Sequence, residues 1–387
     1  MGIKKMFKYI LLSAGLGILR LTKTPFITIR LDIIDKCNLR CKMCMNAEEN
    51  YSEKELGELN EQDFGIILKD IHPYVKTIML SCGYEPLLSK NFIKIVHFIR
   101  KEYPHIRLAF CTNAMFLDAE IRKLIFEKNI SEVYISLDGA TKETFEKIRC
   151  GADYNKIISN LKALCDLKKK HHLDYPTVSI NTVVMNSNLS ELPSIVKIGS
   201  LLEAHYINFR NIVKFNKYFE TSGERLQDNK DKFNFFRDLA VEEARRERIR
   251  IIISNKFNVP KINTYPEKIQ LSDFLNVKPD ENKEIDLKLI KKKGLPKEPL
   301  FARHFHALMN RLNPECRFPF NEMLISYDFL IKPCPCYRKI FGVLTEETNL
   351  AKVFFGKDYN ELRKRIFFNL EREFCLGCED VAVRKNS

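Results

Sequence analysis

Three cysteines within eight residues carry the densest chemistry in this chain. Cys37, Cys41 and Cys44 stand in IDKCNLRCKMCMN (Ile34–Asn46) with C-x3-C-x2-C spacing. Three thiolates can bind three irons of a four-iron four-sulfur cluster and leave the fourth iron open, whereas a structural cluster or zinc site takes four protein ligands. An open iron can hold the amino and carboxylate groups of a ligand and pass it an electron at short range. A zinc site with a remote fourth ligand is the alternative. A second group, Cys316, Cys334, Cys336, Cys375 and Cys378, lies near the end of the chain, where FCLGCED is a tight C-x2-C pair that needs distant partners to complete a set. Of the other four cysteines, Cys150 and Cys165 read as small apolar residues. Cys82 and Cys111 sit at strand ends and read first as core residues, with hydrogen-atom donation to a substrate radical as the alternative.

These residues need a scaffold that brings loops to one edge. Strands are predicted at Phe26–Ile33, Lys76–Ser81, Ile106–Cys111, Glu132–Leu137, Thr177–Val184 and His205–Ile212. Helices are predicted near Glu61–Ile71, Asn91–Glu102, Asp118–Lys128, Thr141–Lys170 and Ser190–Leu202. Strands alternating with helices of this length imply βα units and a parallel sheet. Six such units make an α/β fold, a partial (βα)6 TIM-like barrel, with reactive residues at the C-terminal ends of the strands. An amphipathic helix follows at Lys230–Arg250. From 255 to 300 five prolines interrupt a Lys/Asn/Glu-rich stretch, which reads as a linker or surface insertion. Within LISYDFLIKPCPC a β-hairpin with a Tyr-Asp turn delivers Cys334. The expected organisation is therefore 1–24 an amphipathic or capping helix, 25–254 the partial barrel, 255–300 the linker and 301–387 a small C-terminal iron–sulfur module.

The 387 residues are 45% hydrophobic, enough for a large core, and carry a net charge of +14. The basic runs Lys168–Lys170 and Lys291–Lys293 have no interleaved aromatics, so nucleic acid is an unfavoured partner. Eight of the twelve cysteines are clustered, which argues for metal ligation in a reducing, cytoplasmic compartment rather than a secreted disulfide framework. Tyr9–Leu19 is uncharged but only 11 residues long, short of the roughly 20 that span a bilayer. The segment 3–21 reads either as a cap on the domain or as a peripheral helix on an anionic membrane.

CNLRCKMC resembles the signature of radical S-adenosylmethionine (SAM) enzymes, and further elements follow in that family's order. SCGYEPLL (Ser81–Leu88) resembles the Gly-Gly-Glu turn after the second strand, with Gly83, Tyr84 and Glu85 as counterparts and Tyr84 where glycine is commoner. FCTNAMFL (Phe110–Leu117) resembles the Thr-Asn-Gly element, with Ala114 replacing Gly. YISLDGATKETFEKIR (Tyr134–Arg149) resembles the stretch carrying a Ser, an Asp and a downstream Arg. The match covers roughly Phe26 to Ile212.

The resemblance implies reductive cleavage of SAM to a 5′-deoxyadenosyl radical that takes a hydrogen atom from a substrate. It implies a catalytic 4Fe-4S cluster on Cys37, Cys41 and Cys44, SAM contacts from Gly83, Tyr84, Glu85, Asn113, Ser136, Asp138 and Arg149, and Met43 near the adenine. It also implies a low-potential electron donor such as flavodoxin or ferredoxin. The C-terminal cysteines resemble SPASM or twitch auxiliary-cluster modules. Five cysteines suit one auxiliary 4Fe-4S cluster, held by Cys316, Cys334, Cys375 and Cys378 with Cys336 to spare; zinc is the alternative. Such a cluster would accept an electron, so the expected function is oxidation of a small sugar- or aminocyclitol-like molecule. A radical maturase acting on a peptide or protein side chain is the second expectation, and a non-catalytic iron–sulfur or zinc module the third.

Overall fold

The computed structural model describes residues 3–44, 46–47, 57–81, 83–212, 222–259, 265–266, 270–287, 289–290, 299–312, 318–326, 328–334 and 340–368. Cys82, Cys316, Cys336, Cys375 and Cys378 lie outside these. The chain divides into two compact units: residues 1–35, 56–109 and 291–387 form the first, and residues 36–55 and 110–290 the second.

The strands, in chain order, are β1 (Ile27–Leu31), β2 (Arg40–Cys41), β3 (Val75–Met79), β4 (Arg107–Thr112), β5 (Glu132–Ser136), β6 (Arg149–Cys150), β7 (Thr177–Val184), β8 (Tyr206–Asn211), β9 (Arg250–Ile252), β10 (Glu322–Ile325), β11 (Leu330–Lys332) and β12 (Gly342–Val343). The first helices are α1 (Ile3–Leu21), α2 (Glu61–Leu68), α3 (Phe92–Glu102), α4 (Ala119–Glu127), α5 (Lys142–Ile148), α6 (Tyr154–Lys170) and α7 (Leu192–Leu201).

In the first unit β1 is central. It runs parallel to β10 on one side and β3 on the other, and β3 pairs with the start of β4 through Thr77↔Arg107 and Met79↔Ala109. The alternation Ile27, Ile29, Leu31, all fully buried, is the period-2 signature of a strand with one face in the core. α2 starts at a capping box, in which the Asn60 side chain accepts from Gln62 N and Asp63 N and Asp63 accepts from Asn60 N. α3 buries Phe92, Ile95, Val96 and Ile99 along one helical face. β10, β11 and β12 form an antiparallel meander, with Leu324↔Lys332 and Leu330↔Val343 in register. The expected hairpin before Cys334 is therefore present.

In the second unit β5, β7, β8 and β9 are parallel neighbours, with Ser136↔Asn181↔Asn208↔Ile252 in register. Crossover helices fit the βα reading. The helix predicted over Thr141–Lys170 is broken in two. α5 ends at Ile148, Arg149–Cys150 turn into β6, Gly151 takes φ +89°, and Asp153 caps α6 by accepting from Lys156 N. Gly151 adopts the left-handed conformation without steric cost, and an acidic N-cap restarts the helix. Residues 274–282 pack on the rest of this unit. The buried Arg122 guanidinium donates to Asn160 and Asn282 and pairs with Asp280 at 2.8 Å, and Lys162 Nζ donates to Phe274 O. Among the described residues no helix is long and apolar enough to cross a membrane.

Candidate functional site

The break between α5 and α6 organises the second unit's site. β6 pairs antiparallel with β2, matching Arg40↔Cys150 and Cys41↔Arg149, so the cysteine loop is stitched to the residue that interrupts the helix. Lys42 N donates to Ile148 O at 3.0 Å and continues that ladder. Cys41 is buried, and Cys37 and Cys44 are half-buried. Backbone N–H groups point at two of the sulfurs: Leu39 N lies 3.4 Å from Cys37 Sγ and Asn46 N 3.4 Å from Cys44 Sγ. The third, Cys41 Sγ, faces Arg149 Nη1 at 3.7 Å. Arg149 Nε in turn meets Asp138 Oδ2 at 2.7 Å, in a pair almost wholly out of solvent. Asp138 Oδ1 accepts from Val183 N at 2.7 Å, and Asn188 Nδ2 donates to Asp138 O.

The electrostatics follow from burial. Loss of water pushes the Cys41 thiol up to about 12, with Arg149 pulling against it. Burial also pushes the Asp138 carboxyl up, opposed by Arg149 and the Val183 amide. For Arg149, burial disfavours the cation but the Asp138 carboxylate outweighs it, and the guanidinium stays charged. One fixed positive charge therefore stands behind Cys41.

Three thiols, two under N–H donors and one against a buried guanidinium, suit a group that carries negative charge on sulfur. Among the described residues no three His, Cys, Asp or Glu side chains converge on a single metal ion. A four-iron cluster does not require convergence, because each thiolate takes a separate iron. The donor set fits such a cluster.

Asn113, at the end of β4, does not stand free. Its Nδ2 donates to Asn38 Oδ1 on the cysteine loop at 2.9 Å, and its Oδ1 accepts from Met115 N. Ala114 takes φ +65° and is fully buried, which accounts for the glycine that the family pattern places there. Met43 packs against Ile148, Met185 and Ile212. Ser136 ends β5 with its Oγ 3.8 Å from Cys111 Sγ.

Sequence reasoning missed the row that continues from Ser136. Asn181 and Asn208 follow it in register across β7 and β8, and their amides lie 3.3 Å apart. With its oxygen turned toward Arg210, Asn208 accepts from Arg210 Nε at 2.7 Å and Nη2 at 3.2 Å. The legible signal was the spacing of polar residues two apart at the C-terminal end of β8, where a parallel sheet presents its reactive face.

In the first unit the SCGYEPLL turn is tied to the end of β1. Asp32 Oδ1 accepts from Gly83 N at 2.9 Å and Tyr84 N at 3.3 Å. Ser81 Oγ donates to Tyr84 O, and the buried Glu85 caps the following turn by accepting from Leu87 N. Asp32 also escaped sequence reasoning, because its partners lie about fifty residues away. Cys334 is half-buried at the end of β11 and packs against Leu362 and Ile366 beside Phe318 and Phe341. The other proposed auxiliary ligands, Cys316, Cys375 and Cys378, fall outside the described residues.

Residues 31–198, a little under half of the chain, match the model of the Radical SAM superfamily. Its proteins are enzymes that use a 4Fe-4S cluster and SAM. A protein of Methanocaldococcus jannaschii described as "Probable GTP 3',8-cyclase" is 29% identical over 182 residues, 46% of this chain and 57% of that protein. The GTP 3',8-cyclase of Clostridium botulinum is 24% identical over 197 residues, 50% of this chain and 60% of that protein. The chain thus spans little more than half the length of these relatives. Streptococcus suis SuiB, solved bound to S-adenosylmethionine, superposes with a TM-score of 0.61 at 12% identity, covering 95% of this chain and 74% of SuiB. That likeness shows the fold, the partial barrel of radical SAM enzymes.

Proposed function

We propose that this chain is a radical SAM oxidoreductase acting on a small polar molecule. The carrying observation is the β2–β6 ladder, which fixes the loop of Cys37, Cys41 and Cys44 and seats the Asp138–Arg149 pair against Cys41. When bound on Cys37, Cys41 and Cys44, a 4Fe-4S cluster supplies the electron that cleaves SAM to methionine and a 5′-deoxyadenosyl radical. The chain's own residues supply position and dryness. Asn113 holds the loop through Asn38, Asp138 orients Arg149, and the N–H groups of Leu39 and Asn46 favour negative sulfur. In the first unit, Asp32 shapes the Gly83–Glu85 turn proposed to meet the methionine amino group. Ser136 and Arg149 are the proposed partners of the methionine carboxylate and ribose. The row Asn181, Asn208, Arg210 offers amide and guanidinium donors to a polar substrate. The names of the curated relatives, which specify a nucleotide, support a small-molecule substrate.

A second reading, a maturase for a peptide or protein side chain, is favoured by the likeness to SuiB, which was also solved bound to precursor peptide SuiA. Under either reading, Cys316, Cys334, Cys375 and Cys378 are proposed to hold an auxiliary cluster that accepts the substrate's electron, in a SPASM- or twitch-like module. A reduced flavodoxin or ferredoxin is the proposed donor.

Anaerobic reconstitution with SAM and dithionite should release 5′-deoxyadenosine, and Cys37→Ala, Cys41→Ala or Cys44→Ala should each abolish it. Turnover that survives in any one of the three sinks the assignment. Transfer of deuterium into 5′-deoxyadenosine from a labelled small molecule, or from a labelled peptide, separates the two substrate readings. Iron should total about eight per chain for two clusters. A folded Cys375→Ala protein should keep about half of it and still cleave SAM without product.

A further inference from the structure

α1 carries two apolar faces, and the fold uses one. At about 100° per residue, Leu12, Leu16 and Leu19 share a side, and they are 0%, 6% and 1% exposed. On this side the helix meets the Leu300–Leu312 helix of the same unit, where a Cβ on Gly15 would stand 2.9 Å from Phe305. Tyr9 packs against Phe367 and Phe368 with ring centroids 5.5 and 5.3 Å away. These contacts make α1 a cap.

Among the described residues the opposite side has no such cover. Phe7, Ile10, Leu11, Ala14, Ile18 and Leu21 fall within an arc of about 100°, and all are exposed. The large ones, Phe7, Ile10, Leu11, Ile18 and Leu21, are 61%, 54%, 38%, 45% and 85% exposed. A capping helix needs one apolar stripe, facing inward. A contiguous outward stripe of five large apolar residues marks an interaction surface.

The charges around it identify what it meets. Lys4, Lys5, Lys8, Arg20 and Lys23 lie on or beside α1, and no acidic residue precedes Asp32. Lys8, Arg20 and Lys23 are exposed. A second copy of the same helix would bring cation against cation. An anionic bilayer surface satisfies both features, because the stripe enters the headgroup–acyl boundary while the lysine and arginine heads stay among the phosphates.

We infer that the outer face of α1 docks the protein on an anionic lipid membrane, lying in the interface while its inner face stays packed on the unit. The two sequence readings of this helix, cap and membrane contact, then describe its two sides. The inference rests on α1 alone and does not depend on the chemistry proposed above.

The chain contains no tryptophan, so Phe7→Trp places a single reporter on the face. With full-length protein, vesicles of phosphatidylcholine with about one-third phosphatidylglycerol should float the protein and blue-shift that tryptophan. Pure phosphatidylcholine vesicles should bind at least tenfold more weakly, and 0.5 M salt should reduce binding to the anionic ones. Ile10→Glu with Ile18→Glu should cut binding at least tenfold with an unchanged far-ultraviolet circular dichroism spectrum and melting curve, since neither side chain is in the core. Failure of wild-type protein to float with anionic vesicles overturns the proposal. So does unchanged flotation of the double variant, which would leave only surface charge. A lipid-free dimer that the double variant dissolves would assign the face to a second copy instead.

Discussion

Replacing Arg149 with methionine should destabilise the second unit by about 3–5 kcal/mol, the usual cost of orphaning one member of a buried ion pair. The figure follows from the surroundings. Asp138 is 0% exposed, and apart from Arg149 its carboxylate has one partner among the described residues, Val183 N at 2.7 Å. With the guanidinium gone, the carboxyl must stay charged in the core or take up a proton. Burial already pushes it up, and removing Arg149 removes the main opposing effect. The sign of the pH dependence follows. A carboxyl raised in the folded state binds more protons folded than unfolded between the two values, so stability falls as pH rises through that window. The deficit of Arg149→Met against wild type should therefore shrink between pH 8 and pH 5. Hydrogen exchange at Val183, whose N–H donates to Asp138, gives a local readout of the opening free energy. Asp138→Asn in the Arg149→Met background should recover part of the loss, because a neutral amide is cheaper to bury. A loss under 1 kcal/mol at pH 8, or a deficit that grows on acidification, would refute the claim that this pair is a buried, ionised support for the cysteine loop.

Ala114→Val should cost about 3 kcal/mol in urea unfolding, because a β-branched residue is strained at φ +65° and the site is full, whereas Ala114→Gly should stay within about 1 kcal/mol of wild type. A tolerated valine would mean that this turn is not left-handed. Asp32→Ala, which removes the carboxylate that accepts from Gly83 N and Tyr84 N, should weaken SAM binding about tenfold, or about 1.4 kcal/mol, while iron content is retained; equilibrium dialysis with labelled SAM measures the first and an iron assay the second. Arg210→Ala should raise KM for the substrate at least tenfold, with substrate-free SAM cleavage unchanged. Equal loss of both activities would place Arg210 in SAM binding instead.

The cysteine spacing, the βα alternation and most helix starts could be read from the sequence, because each depends on residues a few positions apart. C-x3-C-x2-C is a single loop, Asp118 caps the helix it precedes, and the strand centres fell where β-branched residues alternate. The supports of the site were set by tertiary structure. The run Thr141–Lys170 is helical in pattern throughout, yet Arg149 and Cys150 leave the helix because their backbone groups find Arg40 and Cys41, more than one hundred residues earlier. Asp138 looks like a helix N-cap from its place just before the helix. In the fold Thr141 does that work, accepting from Thr144 N, and Asp138 is left to hold Arg149. Asp32 gives no local signal for its role, because its partners at Gly83 and Tyr84 arrive only when the strands align. The same holds for α1. Its sequence shows apolar residues on two sides, and only packing against Leu300–Leu312 decides which side is spent on the core and which is left outside. A local pattern fixes what a segment can form, but a long-range contact depends on the loop closures that bring distant residues together, and the residues within the segment do not encode those.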